Sequence, residues 1–144
     1  MITIRFYQST DLGGLTDLMS DLGYPTTIEQ MDRRLTRFEQ SDRYITYVAI
    51  MNDSIVGMIG TDTILNYESD DVITHIMCLV TKKEYEGLGI GRALLKHVEE
   101  RAEASGSQTL YLTSGIKDER KRAHDLYTKY GFEVTGKRFI KKVK

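Results

Sequence analysis

The stretch Glu86-Gly87-Leu88-Gly89-Ile90-Gly91-Arg92 is where residue types and spacing in this sequence most directly suggest chemistry. Glycines at alternate positions leave backbone N–H groups uncovered by side chains, so a phosphate can approach them closely. Ile90, Leu94, Leu95, Val98 and Ala102 follow on one face at helical spacing, which makes the loop the entry to a helix. A helix N-terminus adds roughly half a positive charge to such a site. Anion binding is therefore the chemistry on offer, although an ordinary strand-to-helix turn uses the same residues. Two phosphate binders are excluded by spacing. The dinucleotide fingerprint G-x-G-x-x-G fails because position 92 is Arg92, and no Gly-Lys-Ser or Gly-Lys-Thr is present for a nucleotide P-loop.

Elements that could position this loop are legible on both sides. Ile2 to Tyr7 alternates like a strand. Leu12, Leu15, Leu18, Met19 and Leu22 form a helical stripe that Gly23-Tyr24-Pro25 stops. Thr27 with Gln30, and Thr26 with Glu29, make capping boxes for a second helix carrying Ile28, Met31, Leu35 and Phe38. Tyr44–Ile50 and Ile55–Leu65 flank the turn signal Asn52-Asp53, and Ile73–Val80 is apolar enough for a central strand; the three read as an antiparallel meander. After the loop and its helix come a strand at Thr109–Ser114 and a helix with Ala123, Leu126, Tyr127 and Tyr130 on one face, ended by Gly131. Phe132–Val134 and Arg138–Val143 read as two closing strands. The order is β-α-α-β-β-β-α-β-α-β-β.

Composition fits one soluble domain over 1–144. The chain has 144 residues, 40% hydrophobic and 28% charged, with one proline and no linker. Lys and Arg number 20 against 21 Asp and Glu, so no basic excess points to nucleic acid or to a membrane surface. No apolar run approaches a membrane span, and Met1-Ile2-Thr3-Ile4-Arg5 does not open like a signal peptide. A single cysteine, Cys78, excludes an internal disulfide framework and a multi-cysteine zinc site, and fits a cytoplasmic setting.

The segment from Leu79-Val80 through Tyr85-Glu86-Gly87-Leu88-Gly89-Ile90-Gly91-Arg92 to Leu95 resembles the acetyl-CoA motif of the GCN5-related N-acetyltransferases (GNAT). That pattern is Gln/Arg-x-x-Gly-x-Gly/Ala followed by a helix. Ala123-His124-Asp125-Leu126-Tyr127 to Gly131-Phe132-Glu133 resembles the same family's late helix, which ends in Leu-Tyr-x-x-x-Gly-Phe. Two motifs in the right order, over essentially the whole chain, imply a mixed α/β (α+β) fold. Its central sheet is mostly antiparallel and flanked by helices. One position departs: the motif's first residue is Glu86 rather than Gln or Arg. A carboxylate there disfavours a nearby pyrophosphate, although backbone amides can hold the phosphates when the side chain turns to solvent.

The resemblance implies direct transfer of an acetyl group from acetyl-CoA, as co-substrate, to a primary amine of a small molecule or protein. No covalent enzyme intermediate and no metal are needed. It assigns cofactor contacts to Leu79, Val80, Tyr85, Glu86, Gly87, Leu88, Gly89, Ile90, Gly91 and Arg92, with the strand before the loop splaying from its neighbour to receive the pantetheine arm. It makes Tyr127 the acid that protonates the departing thiolate, since a phenol is protonated at neutral pH. The same tyrosine also reads as a core aromatic. No carboxylate stands at Ile76-Met77-Cys78, where many members carry the general base. His75 is nearby, with a side-chain type that titrates near neutrality, and reads either as a base or as a structural or surface strand histidine; Asp62, Glu68, Asp70 and Asp71 read as lining the acceptor side, as acting through water or as solvated loop charges, and a water chain could take the proton with no dedicated base. Cys78 reads as a strand residue rather than a nucleophile, and His97 and His124 as surface residues. Lys137, Arg138, Lys141, Lys142 and Lys144 read as a solvated tail or as partners of the CoA phosphates. Acceptor choice is expected from Leu12–Phe38, including Tyr24-Pro25, and from Asn66–Asp71. A homodimer is left open as an assembly. The alternative is an acyl-CoA-binding sensor or partner module without turnover.

Overall fold

The computed structural model describes residues 1–115 and 120–144, which form two compact units, Met1–Leu112 and Thr113–Lys144. The first unit contains β1 (Thr3–Phe6), α1 (Leu12–Leu22), α2 (Ile28–Glu39), β2 (Tyr44–Met51), β3 (Ser54–Ile64), β4 (Ile73–Thr81), α3 (Ile90–Ala104) and β5 (Thr109–Leu112). Its sheet has the order β1-β2-β3-β4-β5. All pairs are antiparallel except β4–β5, which is parallel because α3 intervenes as the crossover. Asn52 and Asp53, at φ 52° and 61°, make the tight β2–β3 turn in the left-handed conformation that these side chains tolerate. The mixed, mostly antiparallel sheet flanked by helices is the fold class expected from the sequence.

The two faces of the sheet carry different helices. Leu15 and Leu18 of α1 and Met31 and Leu35 of α2 pack with Val48, Met58 and Val80. Gly57, which alternation points the other way from Met58, faces α3. A Cβ at Gly57 would lie 2.8 Å from Ile90 Cγ2 and 3.2 Å from both Leu94 Cδ1 and Val80 O. Absence of a side chain here lets the helix that follows the glycine loop sit directly on β3. Gly57→Ala is therefore expected to destabilise the fold by about 1–3 kcal/mol through overpacking. A lower denaturant midpoint at unchanged slope would show it.

Two local devices fix where α1 and α2 start. Thr27 Oγ1 accepts from the Gln30 N–H at 3.1 Å, while Gln30 Oε1 accepts from the Thr27 N–H at 3.2 Å, so the capping box at Thr27 forms as expected. Before α1, Arg5 Nη1 and Nη2 donate to Asp11 Oδ2 and Oδ1 at 2.7 and 2.9 Å, and the Gln8 N–H donates to Oδ2 at 2.8 Å. The Arg5 hydrogen bonds hold the Asp11 carboxyl below the ordinary carboxylate range against its burial, with help from the Gln8 N–H. A depressed folded-state value means that this stabilisation is complete above the unfolded value and is lost as pH falls through the folded one. Asp11→Asn should accordingly lower the melting temperature at neutral pH, and the gap to wild type should close well below the ordinary carboxylate range. A gap that stays constant with pH would contradict the assignment.

In the second unit α4 spans Lys121–Tyr130. Gly131, at φ +114°, ends it, with its N–H on Tyr127 O and Thr128 O and the Phe132 N–H on Tyr127 O at 2.9 Å. The two closing strands expected over Phe132–Val134 and Arg138–Val143 do not form. These residues carry no regular structure, and Val134, Phe139, Ile140 and Val143 are exposed. Alternating apolar residues confer strand potential only. A strand exists when a neighbour takes its N–H and C=O groups, and among the described residues all strands belong to the five-stranded sheet of the first unit.

Candidate active site

The glycine loop leaves the end of β4 through one short turn, Lys83–Tyr85, closed by the Tyr85 N–H on Lys82 O at 2.9 Å. Tyr85 is half-buried, Glu86 to Gly89 are exposed, and Ile90 is buried against β3. Gly87 and Gly89 have φ of +83° and +84°. Both occupy the left-handed region that a side chain disfavours, so the turn itself requires two of the three glycines. Gly89 is the N-cap of α3 and supplies no side-chain oxygen to its first amides. Those N–H groups head the helix at a position where a Cβ on Gly89 would meet nothing within 4 Å.

β4 outruns β5. Parallel pairing joins Ile73–Ile76 to Thr109–Leu112 and stops, while β4 continues to Thr81 with β3 as its one strand partner among the described residues. The hydrogen-bonding phase of that remainder follows from two observations. Lys82 N–H donates to Val56 O at 2.8 Å, so the bonded pairs of the β3–β4 ladder are Val56/Lys82, Met58/Val80 and Gly60/Cys78. Thr63 N–H donates to Arg43 O, which turns Gly57, Ile59 and Thr61 towards β2 and leaves Met58 and Gly60 for β4. Both put the backbone N–H and C=O of Leu79 and Thr81 on the β5 side, where pairing has ended, and those of Val80 on the β3 side. The side chain of Val80 is buried in the core. Of the two residues expected to contact a pantetheine arm, Leu79 thus presents its backbone to the opening and Val80 supplies the packing behind it.

Tyr127 lies on α4, in the second unit, half-buried, with its ring edge-on to Phe132 at 6.0 Å between centroids. His97 is not a surface residue. Its ring packs edge-on to Tyr47 at 4.6 Å, and burial pushes its imidazole below the ordinary value. His124 is also half-buried, 3.1 Å from Ser114 Oγ. Asp71 is committed to the start of β5, where it accepts from the Gln108 N–H and the Thr109 hydroxyl. Asp62 and His75 face each other across β3 and β4, with His75 Nδ1 2.7 Å from Asp62 Oδ1. Arg43 Nη2 holds the other oxygen, Oδ2, at 3.1 Å. Asp62 and His75 are separate candidates in the sequence and nothing local marks Arg43; the register of β3 with β4 joins the first two, and the Arg43 side chain reaches them from just before β2. Among the described residues no group of three or more His, Cys, Asp or Glu is gathered to hold a metal ion, and no helix is long and apolar enough to cross a membrane.

The glycine turn that heads α3 thus lies next to the part of β4 that runs on past the end of β5. The chain belongs to the acetyltransferase (GNAT) family, whose model matches residues 15–132. It is 30% identical over 102 residues to an amino-acid acetyltransferase of Ralstonia nicotianae, covering 71% of this chain and 21% of that protein, so it spans about a fifth of that relative's length. A GNAT family acetyltransferase of Staphylococcus aureus superposes with a TM-score of 0.85 at 26% identity, over 99% of this chain and 98% of the other. A structure described as a transcriptional regulator from Bacillus halodurans reaches the same TM-score at 22% identity, over 99% of each chain, and shows the shared fold. The family expected from Leu79–Leu95 and Ala123–Glu133 is thus the one that the comparisons show.

Proposed function

We propose that this protein transfers the acetyl group of acetyl-CoA directly to a primary amine of a small molecule or protein. The observation that carries the reading is the continuity of two features: the Gly87–Gly89 turn heading α3, and the edge of β4 that presents Leu79 where β5 has ended. The first suits the pyrophosphate, whose charge the amides and the helix dipole favour. The second suits an amide-containing pantetheine arm, which can pair with Leu79 as a strand would. Glu86 is exposed, so solvent screens its charge while the amides of the Gly87–Gly91 loop serve the phosphates.

Chemistry then asks little of the protein. The amine must shed a proton, the thioester oxygen must meet a donor as it gains charge, and the departing thiolate must be protonated. Tyr127 is assigned the last step. The name of the Ralstonia relative motivates testing an α-amine as acceptor, and Cys78 as the only cysteine suits a reducing, cytoplasmic compartment.

The test is purified protein with acetyl-CoA and a panel of the twenty amino acids, spermidine and a lysine-containing peptide. It reads thiol release and, separately, acetyl-CoA affinity. Acetylated amine with saturable acetyl-CoA dependence supports the reading. Tight acetyl-CoA binding with no product from any amine favours the alternative, a binding module, and absence of acetyl-CoA binding overturns both.

A further inference from the structure

We infer that His75, held by Asp62, is the base that takes the proton from the acceptor amine; this rests on the acetyl transfer proposed above. Three observations place it. First, Asp62 and His75 are directly opposed on β3 and β4, their side chains 2.7 Å apart. Asp62 is 8% exposed at its side chain and His75 25%. An ionised carboxylate only accepts, so Nδ1 carries the hydrogen and the neutral ring keeps its lone pair on Nε2. Second, Arg43 donates to the other oxygen of Asp62 at 3.1 Å, which fixes the carboxylate from the segment before β2. The tautomer is therefore set by a buried acceptor that is itself held in place, the arrangement that prepares an imidazole to accept protons.

Third, His75 stands where β4 and β5 part. The last parallel pair is Ile76 with Leu112, and His75 is the residue before it, in register with Tyr111, whose ring centre lies 5.0 Å away. An arm lying along the open edge of β4 from the glycine loop must stop at Ile76–Leu112, because from there β5 occupies the edge. Its reactive end is then adjacent to His75. The alternation of β3 runs unbroken from Met58 to Asp62, since the extra residue at the Gly60–Thr61 register shift is Met77 on β4. Asp62 and His75 thus lie on the face that α1 and α2 cover, and the His75 side chain keeps part of its surface in water. Among the described residues, Asp62 from β3, Arg43 through Asp62, and Tyr111 from β5 face His75.

The step balances without a further reagent. The acceptor arrives as an ammonium, and His75 Nε2 takes one proton. The nitrogen lone pair attacks the thioester carbonyl carbon. The C–N bond forms, the C–S bond breaks with its electron pair going to sulfur, and the second proton shed by nitrogen ends on the thiolate. The imidazolium returns its proton to water. His75 is the catalytic group, and Asp62 and Arg43 are positioning residues.

The experiment uses the full chain and the fastest acceptor of the amine panel. His75→Gln should lower kcat/KM at neutral pH by about 10²–10⁴-fold, the range for loss of a general base, with acetyl-CoA affinity and melting temperature kept. Its pH profile should lose the inflection of an imidazole and rise with the fraction of free amine. Asp62→Asn should lower kcat more than it changes KM, because an amide can donate to Nδ1 and reverse the tautomer. Ring-nitrogen NMR of the wild type, which needs no acceptor, should place the His75 proton on Nδ1, and Asp62→Asn should move it. Wild-type turnover with an unchanged pH profile in His75→Gln overturns the inference and leaves the acetyl transfer standing. A ring proton on Nε2 in the wild type overturns it even where the variants fail to fold. An inactive wild type across the panel overturns both readings.

Discussion

Gly89→Val is expected to weaken acetyl-CoA binding by roughly 10–100-fold in a protein that still folds. At φ +84° the backbone of Gly89 sits in the left-handed region, which costs an L-residue about 1–2 kcal/mol and is a true outlier for a β-branched one. The space around a Cβ at this position is empty, so the penalty comes from the backbone and not from a clash in the core. The chain relieves it by rotating the peptide planes on either side, and those planes carry the amides at the head of α3. Ile90, 1% exposed and packed on Gly57, keeps the helix itself in place. Binding should therefore suffer more than stability. Calorimetric titration with acetyl-CoA, paired with a thermal melt, separates the two, and Gly89→Ala should fall between wild type and valine. Unchanged affinity in folded Gly89→Val would falsify the assignment of the loop to the phosphates.

The second large effect is expected from Tyr127→Phe: turnover lower by about 10²–10⁴-fold where proton transfer to the leaving group limits the rate, with acetyl-CoA affinity retained. A phenol with an ordinary pKa near 10 is protonated at neutral pH and so can donate, but a thiol's ordinary value is about 8.5, so full transfer to the thiolate is uphill by about 1.5 units. The modest need of this leaving group pulls the effect towards the lower end. Phenylalanine keeps the ring that packs edge-on to Phe132 at 6.0 Å, which isolates the hydroxyl. Loss of turnover at unchanged melting temperature supports the acid. Loss matched by a large drop in melting temperature assigns Tyr127 to packing instead, and wild-type turnover across pH removes it from the chemistry.

What could be read from residues alone was what short-range physics decides. The glycine loop and the α3 stripe of Ile90, Leu94, Leu95 and Val98 are consecutive in sequence, so their pattern is local and survived intact. The capping box at Thr27–Gln30 and the αL stop at Gly131 are equally local. His97 was misjudged because nothing near it in sequence announces Tyr47, which reaches it from β2. The strands expected after Gly131 were misjudged because alternation describes a face and says nothing of whether a neighbour exists to complete the ladder.

The order of elements through α4, the glycine turn and the family were thus determined by sequence alone, since propensity, turn chemistry and hydrophobic period act over a few residues. Tertiary structure alone decided three things: that β5 ends at Leu112 while β4 runs on to Thr81, that Leu79 rather than Val80 turns its backbone to the opening, and that Asp62, His75 and Arg43 meet. Each depends on register between strands. Register is set by the pairing of distant segments, in which a shift of one residue reverses every side chain, and no local pattern encodes it.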